Sequence, residues 1–117
     1  MRASADSLQR SPAAPSWLSK DAKAEWKRLV PVLVARRVLT PSDLGCIESY
    51  CIAVGRVKEL EKAIQSDPTD RQLHRVQMQF LQAARQYAAE IGATPVSRSK
   101  AVMGEASADA EADEMGI

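Results

Sequence analysis

"TPSDLGCIESYCIAVGRVKELEKAIQSDPTDRQL", residues 40–73, decides how this chain folds. Thr40 stands where a hydroxyl can accept from the free amides of a first helical turn. Pro41 then takes the first helical position, where no hydrogen bond is forfeited, and Asp43 the third, a variant of the capping box. Leu39 and Leu44 have the spacing of a hydrophobic staple. A helix therefore begins at Pro41. It carries Leu44, Ile47, Cys51, Val54, Val57, Leu60 and Ile64 in steps of three and four, an apolar stripe more than five turns long. Gly45 and Gly55 interrupt it at about 1 kcal/mol each relative to alanine, which points to something packed close against the backbone. In "QSDPTD", residues 65–70, the helix breaks, with Asp67 as the next N-cap and Pro68 at the next first position. The helix that follows carries Leu73, Val76, Phe80, Ala84, Tyr87 and Ile91 on one face and stops at Gly92, a residue that tolerates the left-handed C-cap. So short a turn between long helices admits only an antiparallel hairpin.

Upstream, "SKDAKAEWKRLVPVLVARR" predicts another helix, capped by Ser19 with Asp21 at the positive end of its dipole. Leu18, Ala22, Trp26, Leu29 or Val30, and Leu33 recur at helical spacing. Pro31 lacks the N–H that would bond residue 27, so either the helix kinks there or a second short helix starts; the kink is the expectation. The organisation that follows is all-α. A disordered arm spans 1–16, with Trp17 and Leu18 docking where order begins. A helical core spans 17–101, with helices at about 19–37, 41–65 and 68–91 and a basic exit segment at 92–101. An acidic disordered tail spans 102–117. No stretch shows a strand pattern.

The net charge of +1 hides an asymmetry. Glu105, Asp109, Glu111, Asp113 and Glu114 follow Gly104 with no Lys or Arg among them, so residues 1–104 hold 16 basic against 10 acidic residues, a net of +6. A basic body with an acidic tail is compatible with a nucleic-acid partner. Lys20, Lys23 and Lys27 fall three and four apart, one stripe opposite the Trp26 and Leu33 seam, with Arg28 beside them and Arg36 and Arg37 at the following corner. Arg98 and Lys100 leave the last helix in a direction that Pro95 restricts, because it holds Thr94 in extended conformations. These eight residues are the candidate DNA contacts, to phosphates and not to base edges.

Chemistry is otherwise sparse. His74 lies on a polar stretch with no Cys, Asp or Glu placed to share a metal, and Cys46 and Cys51 point in different directions along one helix. Phosphate-loop, nucleophile-elbow and paired-histidine motifs do not occur. The expectation is a non-enzyme without cofactor or metal. No apolar run approaches the ~20 residues that cross a bilayer, and a cytoplasmic location follows as an expectation. Aromatics are 4% of residues, which favours aliphatic helix seams over a compact aromatic core. Apolar residues also stand on the outer positions of the hairpin: Ile52, Ala53, Ala63, Met78, Leu81 and Ala88. A two-helix arm apolar on more than one face is most stable packed against copies of itself; the alternative is a monomeric bundle in which the first helix covers the second face. The candidate assembly residues are Leu44, Ile47, Cys51, Val54, Leu60, Ile64, Leu73, Val76, Phe80, Tyr87 and Ile91.

Three segments taken in order resemble the small terminase subunit of tailed bacteriophages. They are Trp26, Leu29, Pro31 and Leu33; then Leu39, Thr40 and Asp43 with Tyr50 and Cys51; then Gly92, Thr94, Pro95, Ser97 and Arg98. The resemblance spans roughly residues 15–101. One departure is the shorter connection between the long helices, where the family usually has a longer glycine-containing loop ending in Asn-Pro. The resemblance implies a ring of identical, non-catalytic subunits in the host cytoplasm. It also implies double-stranded viral DNA as ligand and the large terminase subunit, an ATPase and nuclease, as partner, with the acidic tail a candidate contact for it. Two other readings of the residues remain, a small dimeric helical DNA-binding regulator and a helical adaptor without a nucleic-acid role.

Overall fold

A computed structural model of the chain describes residues 7–92. The described residues are all-helical. Helix α1 spans Lys20–Ala35, a 3₁₀ turn spans Pro41–Asp43, α2 spans Leu44–Ser66 and α3 spans Arg71–Glu90. Residues 1–6 and 93–117, with the exit segment, Arg98, Lys100 and the acidic tail, lie outside the described residues.

The helix ends follow the side chains available to cap them. Ser19 Oγ accepts from Ala22 N at 3.2 Å. One helix, not two, passes through Pro31, whose ring faces solvent on the exposed side. At its far end Arg37 N–H donates to Val34 O (2.9 Å) and Val38 N–H to Leu33 O (3.2 Å), the paired bonds of a Schellman cap. Arg37 occupies the left-handed position of that cap, at φ 58°, a conformation costing a side-chain-bearing residue roughly 1–2 kcal/mol. Asp43 Oδ2 accepts from both the amide and the hydroxyl of Thr40, each at 2.9 Å, and so holds the 3₁₀ turn from which α2 continues. The start of α3 differs from the sequence reading. Asp67 and Asp70 are both competent caps, and the chain uses the second, whose Oδ1 accepts from Gln72 N (2.9 Å) and Leu73 N (3.1 Å). Pro68 and Thr69 are spent on reversing the chain, closed by Asp70 N–H to Asp67 O at 3.2 Å. The α3 helix ends at Glu90 with Ile91 as its C-cap, and Gly92 follows in the left-handed region at φ +74°.

Helix α2 is the centre of the fold. Both α1 and α3 pack on it, and their backbones do not approach each other closely. Contacts between α2 and α3 run in opposite chain order: Cys46 Sγ donates to Glu90 Oε1 (3.4 Å), while Gln77 Nε2 donates to Val57 O (3.3 Å) and Glu61 Oε1 (2.9 Å). The core joins Ala22, Trp26, Leu29, Val30 and Leu33 of α1 to Ile47, Tyr50 and Cys51 of α2. From α3 only Ala88 is buried.

Two readings of the N-terminal region change. Residues 7–16, expected as part of a disordered arm, lie along α1. Leu8 N–H donates to Leu39 O at 2.7 Å and Trp26 Nε1–H to Pro12 O at 2.9 Å. A tryptophan buried this deeply needs an acceptor for its indole N–H, and the arm supplies it. Of the pair expected to dock, Leu18 is buried whereas Trp17 is 63% exposed, because one turn cannot turn both side chains inward.

Gly55 explains how closely α1 approaches. A Cβ there would lie 2.9 Å from Ala22 N and 3.2 Å from Ser19 Oγ, whereas one at Gly45 would meet nothing within 4 Å. The two glycines therefore respond oppositely to one change. Gly55→Ala is expected to lower stability by about 1–3 kcal/mol through overpacking against backbone, despite its gain in helix propensity. Gly45→Ala is expected to raise it by about 0.5–1 kcal/mol. Urea midpoints at unchanged slope measure both.

Candidate nucleic-acid interface

Seating its apolar side on α2 turns the other side of α1 to solvent. Lys20 and Lys27 are exposed and Lys23 is half-buried, all three within one stripe; Arg36 and Arg37 are exposed at the corner beyond Ala35. A cation at a helix C-terminus is favoured by the dipole, which suits both arginines. None of these five forms an ion pair with a described residue.

Arg28 differs. Its Nε donates to Glu25 Oε1 at 2.9 Å and its Nη2 pairs with Glu25 Oε2. Glu25 is 4% exposed, and its Oε2 also accepts from the Tyr50 hydroxyl on α2 at 2.7 Å. Burial alone pushes the Glu25 carboxyl up, but the Arg28 and Tyr50 hydrogen bonds and the charges of Arg28 and Lys58 outweigh it, so the net shift is downward. Burial, followed by the Glu25 contact, pushes the Tyr50 phenol up to about 12. Arg28, named as a candidate DNA contact from the sequence, pairs with this buried carboxylate within α1 while its side chain stays 63% exposed. Glu25 was missed although it sits three residues past Ala22 and one before Trp26, on the side of the helix that the apolar positions mark as internal.

A second omission is α3. Arg71, Arg75 and Arg85 are exposed on it, and the helix holds no Asp or Glu before Glu90. Their spacing interleaves with the apolar positions, which hid them. His74 at the start of α3 lies 2.7 Å from Pro68 O through Nε2 and so braces the turn.

The assembly candidates divide by burial. Ile47 and Cys51 are 0% exposed and Ile64 is 7% exposed, so these three are spent inside the subunit. Ala53 and Ala88, read as outward, are buried too. Leu44, Val54, Leu60, Leu73, Val76, Phe80, Tyr87 and Ile91 are half-buried, and Met78 and Leu81 on α3 are exposed. The two cysteines are free. Burial, with Glu25 adding to it, pushes the Cys51 thiol up to about 12; burial and then the Glu90 contact push Cys46 up to about 11. Both are therefore neutral thiols near pH 7 and poor nucleophiles. No helix among the described residues is long and apolar enough to cross a membrane.

A family model described as phage terminase, small subunit, matches residues 22–108 of the chain. The match takes in nearly all of α1, the whole of α2 and α3, and residues beyond Gly92. No curated protein and no solved structure matches the chain.

The Glu25 network has a pH signature. Its carboxyl is depressed below the ordinary 4.5, so the stability it contributes is complete above that value and is lost as pH falls through the folded-state pKa. Acid unfolding of the natural chain is expected to steepen below about pH 4.5, and Glu25→Gln to flatten that limb. Tyr50→Phe is expected to cost about 1.5–3 kcal/mol, the range for a hydrogen bond to a charged group, as read by thermal unfolding at pH 7.

Proposed function

Because the chain belongs to the phage terminase small-subunit family, and so has a part in phage DNA packaging, we propose a specific part for it. It forms a ring that holds double-stranded viral DNA at the start of packaging and hands it to the large terminase subunit, in the host cytoplasm and without catalysis of its own. The observation that carries this reading is the two-sidedness of α1: one side seated on α2, the other carrying Lys20, Lys23 and Lys27 with no ion-pair partner among the described residues. Repeated around a ring, such a row makes many weak phosphate contacts at once, which gives affinity with little sequence information. Arg36 and Arg37 extend the row at the corner; Arg98 and Lys100 are proposed to extend it further from the exit segment.

The ring itself is supported by how little α3 buries. A twenty-residue helix packed on one neighbour, with Met78 54% and Leu81 36% exposed, keeps apolar surface available to a second copy. The half-buried residues Leu73, Val76 and Phe80 lie along the same helix and are proposed to complete that contact.

DNA binding measured against salt tests the row. Three phosphate contacts contribute about 2.7 to the logarithmic salt slope, at roughly 0.9 each. Lys20→Gln/Lys23→Gln/Lys27→Gln is expected to lower the slope by about that amount per subunit engaged, and an unchanged slope would overturn the assignment. Native mass spectrometry tests the ring: the natural chain is expected well above the 12.8 kDa subunit mass. Leu81→Asp is expected to reduce that mass while helicity is retained, and a natural chain found as a monomer or dimer would count against a ring.

A further inference from the structure

Between the N-terminal arm and α1 lies a surface cleft of about 460 Å³. Pro12, Ala13 and Pro31 form its walls, Trp26 and Val30 lie beneath, and Lys23 and Lys27 stand at the rim. No described Asp or Glu lines it, and neither lysine is ion-paired with a described residue. The two lysines stand one helical turn apart on α1 and share the cleft lining with apolar residues. A bare phosphate would satisfy the lysines but leave the apolar walls against water. An acidic peptide with apolar residues next to its carboxylates would satisfy both.

The chain contains such a peptide. In "EADEMGI", residues 111–117, Glu111, Asp113 and Glu114 are followed at once by Met115 and Ile117. Nineteen positions separate Gly92 from Glu111, a reach of up to about 60 Å when extended. Ile91, just before Gly92, packs on the core cluster to which Trp26 also belongs. We propose that the cleft between the arm and α1 is the docking site of the acidic segment 111–117, from the same subunit or from a neighbouring copy. The carboxylates pair with Lys23 and Lys27, and Met115 and Ile117 lie against Pro12 and Pro31. Since these lysines belong to the row proposed above for DNA, the docked segment competes with DNA and weakens nonspecific binding. A tethered ligand acts at an effective concentration in the mM range, so even a weak contact lowers DNA affinity by roughly two- to tenfold.

The competition rests on the DNA-binding reading; the docking does not, and two measurements on the full chain separate them. The first is zero-length carbodiimide coupling, which joins a carboxylate to a lysine amine as an amide with loss of water. Mass mapping is expected to place 111–114 on Lys23 and Lys27 ahead of Lys20, Lys58 and Lys62, and duplex DNA is expected to suppress those links. Links spread evenly over all lysines would overturn the docking, whereas links to Lys23 and Lys27 that DNA leaves untouched would overturn the competition. The second is DNA affinity at low salt, where electrostatic contacts are strongest. Glu111→Gln/Asp113→Asn/Glu114→Gln is expected to tighten binding roughly two- to tenfold in the natural background, and to have no effect alongside Lys23→Gln/Lys27→Gln. An equal gain in both backgrounds would mean that the tail acts as general charge, and the assigned site would be wrong. If the chain bound no DNA, the function proposed above would fail while the coupling result still decided the docking. If DNA shielded Lys23 and Lys27 from acylation equally with natural and neutralised tails, the cleft would belong to DNA and not to the tail.

Discussion

The missing side chain at Gly55 sets the distance between α1 and α2, and much of the molecule depends on that distance. With a Cβ there, the backbone at Ala22 would be forced outward. The first turn of α1 is instead laid directly on α2, which brings Glu25 within reach of Tyr50 and lets Trp26 and Leu29 close over Ile47 and Cys51. The glycine weakens α2 as an isolated helix and strengthens the assembly of two helices. Burial of large side chains, at about 1.5–3 kcal/mol each, outweighs a propensity loss of about 1 kcal/mol.

This seating also sorts the charges of α1. Once Ala22, Trp26, Leu29 and Leu33 face α2, Lys20, Lys23 and Lys27 face outward, and Glu25 is carried inward with the apolar residues. A buried carboxylate is tolerable only when it is paired and hydrogen-bonded, and Arg28 and Tyr50 meet that condition. The basic surface of the helix is therefore smaller than its basic composition, since one of its four cations is neutralised within the subunit. The cleft beside Lys23 and Lys27 arises from the same geometry: burying Trp26 required an acceptor for its N–H, and the arm that provides one walls off a groove.

The helix boundaries and the apolar faces were legible before the fold was seen, because they are set by contacts within a few residues. Ser19, Thr40, Pro41, Asp43 and Gly92 do what their local chemistry suggests. The start of α3 was not legible in this way: the sequence points to Asp67 with Pro68, and the geometry of chain reversal moves the cap to Asp70. The arm misled for a different reason: its composition is that of a disordered segment, yet it is held by partners distant in sequence, Trp26 to Pro12 and Leu39 to Leu8.

Periodicity identified residues that must be covered, and it did not say by what. Ile47 and Cys51 were read as facing a second copy and are instead closed over by α1, while Met78 and Leu81 stay open. The sequence by itself determined the helical class, the number of helices, the N-terminal caps of the first two and the basic character of the body ahead of an acidic tail. Only the tertiary structure decided that α1 and α3 both pack on α2, that Arg28 pairs with Glu25, and that the lysine row borders an apolar cleft. The physical reason is range. Capping and periodicity act over a few residues along the chain, whereas burial and ion pairing are set by whichever distant surface arrives opposite.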